Sequence, residues 1–575
     1  MTRSPVLAGL LLLPAVLSAQ DAAKPQTVGA TPAPATALPL KLAPRPTSAA
    51  ITAEDLMTRL YIFADDSMTG REAGTEGHVK ASDYLAAEAK RIGLKPAGDN
   101  GTYFQSLPAK RRTVDPMSSF IAGGSSLAFG KDWAIGGQST LNKASLETVY
   151  GGAFGDTASR LTPEQAAGKL VLLTVPLTNE AINAAVGSDD SPVPSTAAGV
   201  ALLLPQQVMA PVANYVHRPD ITIVDGDPAP VRLFLSAGVL SQLFTKPLAE
   251  LKVGDAGATV AVNAIVSLVD NPFPVRNVVG ILPGSDAKLK DTYVAVGAHS
   301  DHVGIARRPA EHDSMLVFNR IVRPGGAEDQ AKQPTAEQMA QINKELAELR
   351  ATVPARADSI NNGADDDGSG SVAVLEIAEQ MASLKVKPKR STLFVWHVGE
   401  EKGLWGSHYF TDHPTVPRDS IIAQLNMDMV GRGAATDAAG MTKEGKPIYG
   451  GPDYLQLVGS RRLSTELGDL VERVNTSKKY NFSFDYSMDA DGHPMNIYCR
   501  SDHYEYARWG IPVTFFTTGG HSAYHQLTDE PQYIDYPHMM RVAKLVTDIA
   551  LDLGNSAKRP TVDKPKMDPK GSCKQ

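Results

Sequence analysis

Four near-continuous apolar runs in the second half of the chain constrain its fold more than any other feature. They occupy 292–296, 392–398, 421–425 and 513–516. Runs of this kind mark strands buried on both faces, because a strand with one wet face alternates polar and apolar residues. Helical patterns lie between them. One covers 372–384, where Val372, Leu375, Ile377, Ala378 and Met381 share a face, and another covers 538–553. The alternation predicts an α/β fold, a mixed, mostly parallel β-sheet covered by helices on both faces.

Each run is followed by residues of one chemical kind. His299-Ser300-Asp301-His302 follows the first, Glu400-Glu401 the second and Asn426-Met427-Asp428 the third. The fourth leads through Gly519-Gly520 to Tyr524-His525, and Asp366 lies in the acidic turn 361–370 that enters the helix at 372–384. Open α/β sheets bind ligands beyond the carboxyl ends of their strands. Two histidines and several carboxylates therefore collect at one edge. Nitrogen and oxygen donors of this type suit zinc, with manganese or cobalt as substitutes. Five ligands with one shared carboxylate suit two metals about 3.5–4 Å apart, which clamp an attacking water and a carbonyl. A net positive site lowers the pKa of that water. One of the adjacent Glu400 and Glu401 is left over as a general base.

Taken singly, each signal has an ordinary explanation. The acids at 365–367 would cap a helix, and Glu400-Glu401 would form a solvated turn. His299 would be a core histidine, Asp428 a strand-end acid, Tyr524 a hydrogen-bonded structural tyrosine. The recurrence of five such signals at one edge points to a metal centre. Of the remaining histidines, His302 and His503 are assigned no ligand role and His397 is expected in the core. Asp502 is expected behind the ligands rather than among them.

The rest of the chain frames this centre. At 575 residues it exceeds one ordinary core, so two folded units with tails are expected. A net charge of −7 with no long Lys/Arg run argues against nucleic acid as a partner. Arg3, the apolar stretch 6–17 and Ser18-Ala19 read as a signal peptide (1–19) cut after Ala19, which implies export to the periplasm or outside the cell. The stretch is too short to span a bilayer. Residues 20–50 are an Ala/Pro-rich linker, and 51–111, with helices at 53–60 and 78–92, begin the catalytic unit. Over 112–266, apolar runs at 170–175, 200–204, 231–235 and 259–266 alternate with Gly/Pro/Asp turns, the pattern of a β-rich insert. The polar segment 302–360, with a charged helix at 335–350, is expected as an excursion over the site in the manner of a lid. Cys499 and Cys573 are the two cysteines. Cys573 sits in a Pro/Lys-rich tail (556–575) expected to be disordered, so both are expected as free thiols.

The chemistry-bearing stretches resemble the M28 family of co-catalytic zinc aminopeptidases. The likeness is carried by Val296-Gly297-Ala298-His299-Ser300-Asp301-His302, by Gly363-Ala364-Asp365-Asp366-Asp367-Gly368-Ser369-Gly370 and by Gly399-Glu400-Glu401-Lys402-Gly403-Leu404-Trp405-Gly406-Ser407. Asn426-Met427-Asp428-Met429-Val430-Gly431 and Ser501-Asp502-His503 through Tyr524-His525 complete it in the family's order. The insert at 112–266 resembles a protease-associated domain in position and texture. The resemblance implies a zinc-peptidase-like catalytic domain over 267–555 with two Zn2+ per chain. Asp366 would bridge them, His299 and Asp428 would complete one, and Glu401 and His525 the other. Glu400 would be the general base, Asp301 would orient His299, and Tyr524 would donate to the oxyanion. The implied function is an exported aminopeptidase acting on peptides with a free N-terminus. Alternatives on the same fold are a carboxypeptidase, another amide hydrolase or a cyclase. A peptide-binding protein without catalysis is a further alternative, against which the complete ligand set and Glu400 argue.

Overall fold

The computed structural model describes residues 38–156, 160–187, 192–330 and 332–575. The expected signal peptide and the linker residues up to 37 lie outside the described residues. Two compact units are present, one containing Ala109–Asn271 and the other combining Leu38–Pro108 with Pro272–Gln575.

The larger unit is built on a nine-stranded sheet among the described residues. Its strands are β1 (Lys95–Pro96), β2 (Phe104–Ser106), β3 (Arg276–Leu282), β4 (Tyr293–His299), β5 (Ser391–His397), β6 (Ile421–Met427), β7 (Tyr454–Val458), β8 (Ser483–Asp485) and β9 (Val513–Thr517). The spatial order is β1-β3-β5-β4-β6-β9-β7-β8, with β2 paired to β3. The four apolar runs are β4, β5, β6 and β9, and they form the parallel centre of the sheet. The flanks pair antiparallel, β3 on β5 and β7 on β9. The mixed sheet read from the sequence is therefore the one observed, with four parallel pairings, three of them at its centre, and four antiparallel ones.

Both faces of that centre are covered. Val294, Val296, Phe394 and Trp396 point into a core shared with α1 (Ala53–Phe63), α2 (Glu76–Ile92), α5 (Gly370–Ser383) and α7 (Tyr536–Asn555), through residues such as Leu60, Leu85, Leu375 and Val546. Their neighbours Ala295, Leu393 and Val395 face the opposite side, against Phe410 of α6 (Trp405–Asp412) and Tyr504 and Tyr506. The period of two along each strand thus places apolar residues on both sides, which is why the runs read as unbroken. α5 has no wet face from Gly370 to Ala378, as expected of a helix caught between sheet and outer helices.

The excursion at 302–360 is a folded hairpin. Strands Ile305–Glu311 and Ala357–Ile360 pair antiparallel as its stem, and α3 (His312–Val322) packs on α4 (Ala336–Arg350) through Val317, Val322 and Ile342. Thr335 and Gln338 close a capping box at the start of α4. The other unit contains a five-stranded sheet with three parallel central strands, Leu170–Thr174, Gly199–Leu204 and Val231–Ser236. Helices Asn179–Gly187 and Gln206–Val216 lie between these strands in the chain, so this β-rich unit also carries helices.

The cysteines and the tail differ from expectation. Cys499 and Cys573 form a disulfide with a Cα–Cα distance of 5.8 Å. The segment 556–575 is laid along the larger unit rather than disordered. Arg508 Nη1 donates to the Pro569 carbonyl at 2.9 Å, the Tyr498 amide to Gln575 Oε1 at 2.9 Å, and the Thr465 amide to Asp563 Oδ1 at 2.9 Å. Its composition is poor in apolar residues, with Met567 and Cys573 packed against the core, and a covalent tie and hydrogen bonds supply the rest. The bridge closes a separation of 74 residues, so Cys573→Ser is expected to destabilise the unit by about 2–4 kcal/mol. Urea unfolding should read that loss, and limited proteolysis should cut the variant within 556–575 first.

Candidate metal centre

The strand ends deliver their polar residues to one place because the four central strands are parallel and end together. β4 ends on His299, β5 runs on through Gly399 into Glu400 and Glu401, β6 runs on into Asp428, and β9 leads to the 518–530 loop. Asp366 comes from the opposite direction, in the turn Ala364–Ser369 that enters α5.

That turn contains three consecutive acids with different partners. Asp367 accepts from the amides of His299 (3.0 Å), Gly370 (2.9 Å) and Met429 (3.2 Å). Asp365 accepts from the Gly431 amide at 2.7 Å and lies 3.1 Å from His521 Nε2. These two carboxylates stitch the turn to the ends of β4 and β6. The amides of Asp365 and Asp366 themselves donate to Asp529 at 3.0 and 3.1 Å. Asp366 alone aims its carboxylate inward. Its Oδ1 lies 3.1 Å from His299 Nε2, and its Oδ2 lies 3.0 Å from His525 Nε2.

Two groups of donors result. His299, Asp366 and Asp428 form one, with His299 Nε2 3.6 Å from Asp428 Oδ1. His302, Asp366, Glu401 and His525 form the other, with His525 Nε2 2.9 Å from Glu401 Oε2 and His302 Nδ1 2.8 Å from Glu401 Oε1. The structure thus brings His299, Asp366, Glu401, Asp428 and His525 together and adds His302, which had been assigned no such place. Burial raises the Asp366 carboxyl, but His299 and His525 outweigh it and hold that group well below the usual carboxylate range. Burial likewise opposes ionisation of Glu401, yet His525 and His302 bring it down to about 2. The carboxylates hold the His299 and His525 imidazoles well above their ordinary value against the effect of burial. Carboxylates converging to stabilise positive charge are the electrostatic condition for a divalent cation.

Around these groups stand residues that position them. Ser501 Oγ donates to Asp428 Oδ2 at 2.8 Å and accepts from Asn426 Nδ2 at 2.9 Å. The His299 Nδ1 partner is the Asp301 backbone carbonyl at 3.2 Å, whereas the Asp301 carboxylate is 3.7 Å away, too long for a hydrogen bond. That carboxylate accepts instead from the amides of Gly399 (2.7 Å) and Glu400 (3.2 Å). Asp301 therefore orients His299 through its main chain and the Glu400 segment through its side chain. Glu400 belongs to neither donor group. Burial raises its carboxyl well above the usual range, Asp428, Glu401 and Asp502 add to that, and His299 opposes it.

Tyr524 stacks on His525 with ring centroids 4.0 Å apart, and Arg500 donates to its hydroxyl at 3.4 Å. Burial holds the phenol well above its usual pKa, so it stays protonated. The excursion reaches the same place: Ala327 donates its amide to the Tyr524 carbonyl at 3.1 Å, and Glu328 pairs with Arg500 at 2.5 Å. His397 lies in the core, its Nε2 3.0 Å from the Tyr506 hydroxyl, with Asp502 3.5 Å from its Nδ1. His503 stacks on Phe515.

Arg71 escaped the sequence reading. It is fully buried, and its guanidinium donates to carbonyls of Ser300 (3.2 Å), Phe63 (3.3 Å) and Gly363 (2.8 Å), and to that of Asn362. It joins the His299–His302 loop to the Asp366 turn. The one local signal was Gly70 before it, where the chain passes so close that a Cβ would lie 2.5 Å from the Gly304 carbonyl oxygen.

Residues 277–550 match the model of Peptidase family M28. A probable leucine aminopeptidase of Trichophyton verrucosum is 26% identical over 300 residues, covering 51% of this chain and 61% of the relative. Leucine aminopeptidase 1 of Paracoccidioides brasiliensis is 29% identical over 218 residues, covering 35% and 51%. The chain thus spans about half to three fifths of the length of these curated relatives. Among solved structures, an aminopeptidase from Aneurinibacillus sp. strain AM-1 aligns over 90% of this chain and 97% of its own, at 16% identity and a TM-score of 0.44. Over residues 277–550, the span that holds every donor of both groups, the chain is similar to peptidase family M28.

Proposed function

We infer that the protein is an exported aminopeptidase that works with two zinc ions. The observation that carries this reading is the division of Asp366, whose two oxygens face two different donor groups. A carboxylate shared between nitrogen and oxygen donors fits two borderline cations in one centre. His299 Nε2, Asp366 Oδ2 and His525 Nε2 are buried there without completing a hydrogen bond. Such atoms cost about 1–3 kcal/mol each unless something satisfies them, and a ligand role does. His299, Asp366 and Asp428 would hold one ion; Asp366, Glu401 and His525 would hold the other.

When bound, the ions supply Lewis acidity that polarises a peptide carbonyl and acidifies water. The chain's own residues do the rest. Glu400 takes the proton from the attacking water at its carboxylate and passes it to the leaving amine. The protonated Tyr524 hydroxyl donates to the carbonyl oxygen as negative charge develops there. Asp301 fixes the Glu400 main chain, and Ser501 fixes Asp428. The match to the family model supports peptide substrates, and the names of the curated relatives support a preference for a free N-terminus. The Cys499–Cys573 bridge supports export, because such bonds persist in oxidising compartments.

Mass spectrometry of a mixed peptide set incubated with the zinc-loaded protein tests the reading, using N-acetylated counterparts and a chelator as controls. Ladders shortened only from free N-termini, and abolished by chelation, are expected. Shortening from C-termini, or activity that survives chelation, would overturn it.

A further inference from the structure

We propose that His302 is a fourth protein donor to the ion held by Asp366, Glu401 and His525, so that the two zinc positions are unequal, one closed by protein and one open. The proposal rests on the two-zinc reading above. Zinc bonds of about 2.0–2.2 Å in a tetrahedral site place neighbouring donors roughly 3.4 Å apart. The second group has that shape. His302 Nδ1 is 2.8 Å from Glu401 Oε1 and 3.6 Å from Asp366 Oδ2. His525 Nε2 is 2.9 Å from Glu401 Oε2 and 3.0 Å from the same Asp366 Oδ2. The two imidazoles meet edge to face, with centroids 5.5 Å apart at 73°, and one ligand atom from each of the four residues lies within 4.8 Å of the others.

The chain also fixes the His302 ring in that pose. The residue is 1% exposed, and its amide donates to the Arg71 carbonyl at 3.3 Å. Its ring packs against Gly363, where a Cβ would approach Cγ to 2.5 Å and where φ is +56°. A residue with a side chain at 363 would drive the ring out of the centre. Glycine there meets two demands at once, the left-handed backbone and the space for imidazole.

Two consequences follow for the cations. The group containing His302 has four protein donors, the number that closes a tetrahedral zinc site, whereas His299, Asp366 and Asp428 leave a position for water or substrate. The first equivalent of zinc should therefore enter the closed position. A single contact to Glu401 would instead make His302 a positioning residue, donating Nδ1–H to a carboxylate that ligates alone; its approach to Asp366 Oδ2 favours ligation.

Zinc-edge X-ray absorption of the full-length protein carrying one equivalent of zinc tests this without any substitution. Two imidazoles around the metal are expected, and one imidazole would overturn the assignment. In His302→Gln the count should fall to one, and the dissociation constant of the tighter zinc should rise more than about 100-fold, beyond the 10–100-fold typical of an outer-shell partner. An unchanged count in the variant would likewise overturn it. Wild-type protein that takes up two zincs with one imidazole each removes the His302 assignment alone. Wild-type protein that takes up no zinc removes the metal-centre reading as well.

Discussion

Glu400→Gln is expected to lower kcat about a thousandfold, within the 10²–10⁴ range of a positioned acid–base group, while zinc content stays at the wild-type level. Glutamine keeps the shape of the side chain and leaves the Glu400 amide on Asp301 untouched. What it removes is the ability to accept a proton from water and return it. Metal should remain because Glu400 belongs to neither donor group, whereas the adjacent Glu401 contacts both His302 and His525. Glu401→Gln is the matched control and should lose metal along with activity. Metal analysis and steady-state kinetics on the two variants separate the roles. Zinc loss in Glu400→Gln, or retention of more than about a tenth of wild-type kcat with full zinc, would show that the roles of the pair have been misassigned.

The parts of this molecule that were legible in the sequence are those set by local periodicity. β4, β5, β6 and β9 announce themselves because burial on both faces removes polar residues from the run. The carboxyl-edge rule then collects their following residues without knowledge of strand order. Asp366 was less legible, since nothing local separates it from Asp365 and Asp367. The distinction is made by the amides of His299, Met429 and Gly431, which lie at least 62 residues away and occupy the outer two carboxylates. His302 was passed over because its role depends on the space above Gly363, which is not a pattern. The disulfide was misjudged for a related reason. Tail composition reports whether a segment can bury apolar area, but not whether a covalent bond 74 residues away will hold it. The helices Asn179–Gly187 and Gln206–Val216 fell between apolar runs strong enough to dominate their neighbourhood.

Arg71→Met is expected to destabilise the larger unit by about 5 kcal/mol, because several buried carbonyl acceptors lose their donor at once and each costs about 1–3 kcal/mol. The guanidinium lies over the Phe63 ring, 4.6 Å from its centroid, and methionine retains most of that apolar contact. The loss therefore reports the polar head. Burial pushes the Arg71 pKa down to about 10, with Asp529, Asp366, Asp301 and Asp367 opposing, so the group is a cation at neutral pH. Arg71→Lys keeps that charge but cannot present a planar fork to the carbonyls of Ser300, Asn362 and Gly363 together, and it should recover only part of the stability. The same carbonyls belong to the segments that carry His299 and Asp366, so zinc affinity should fall in both variants, more in Met than in Lys. Urea unfolding of the metal-free protein and zinc titration measure the two effects separately. A stability loss below about 1 kcal/mol would mean that the amides held by Asp529 and Asp367 fix the turn by themselves, and that Arg71 fills space rather than joins the two loops.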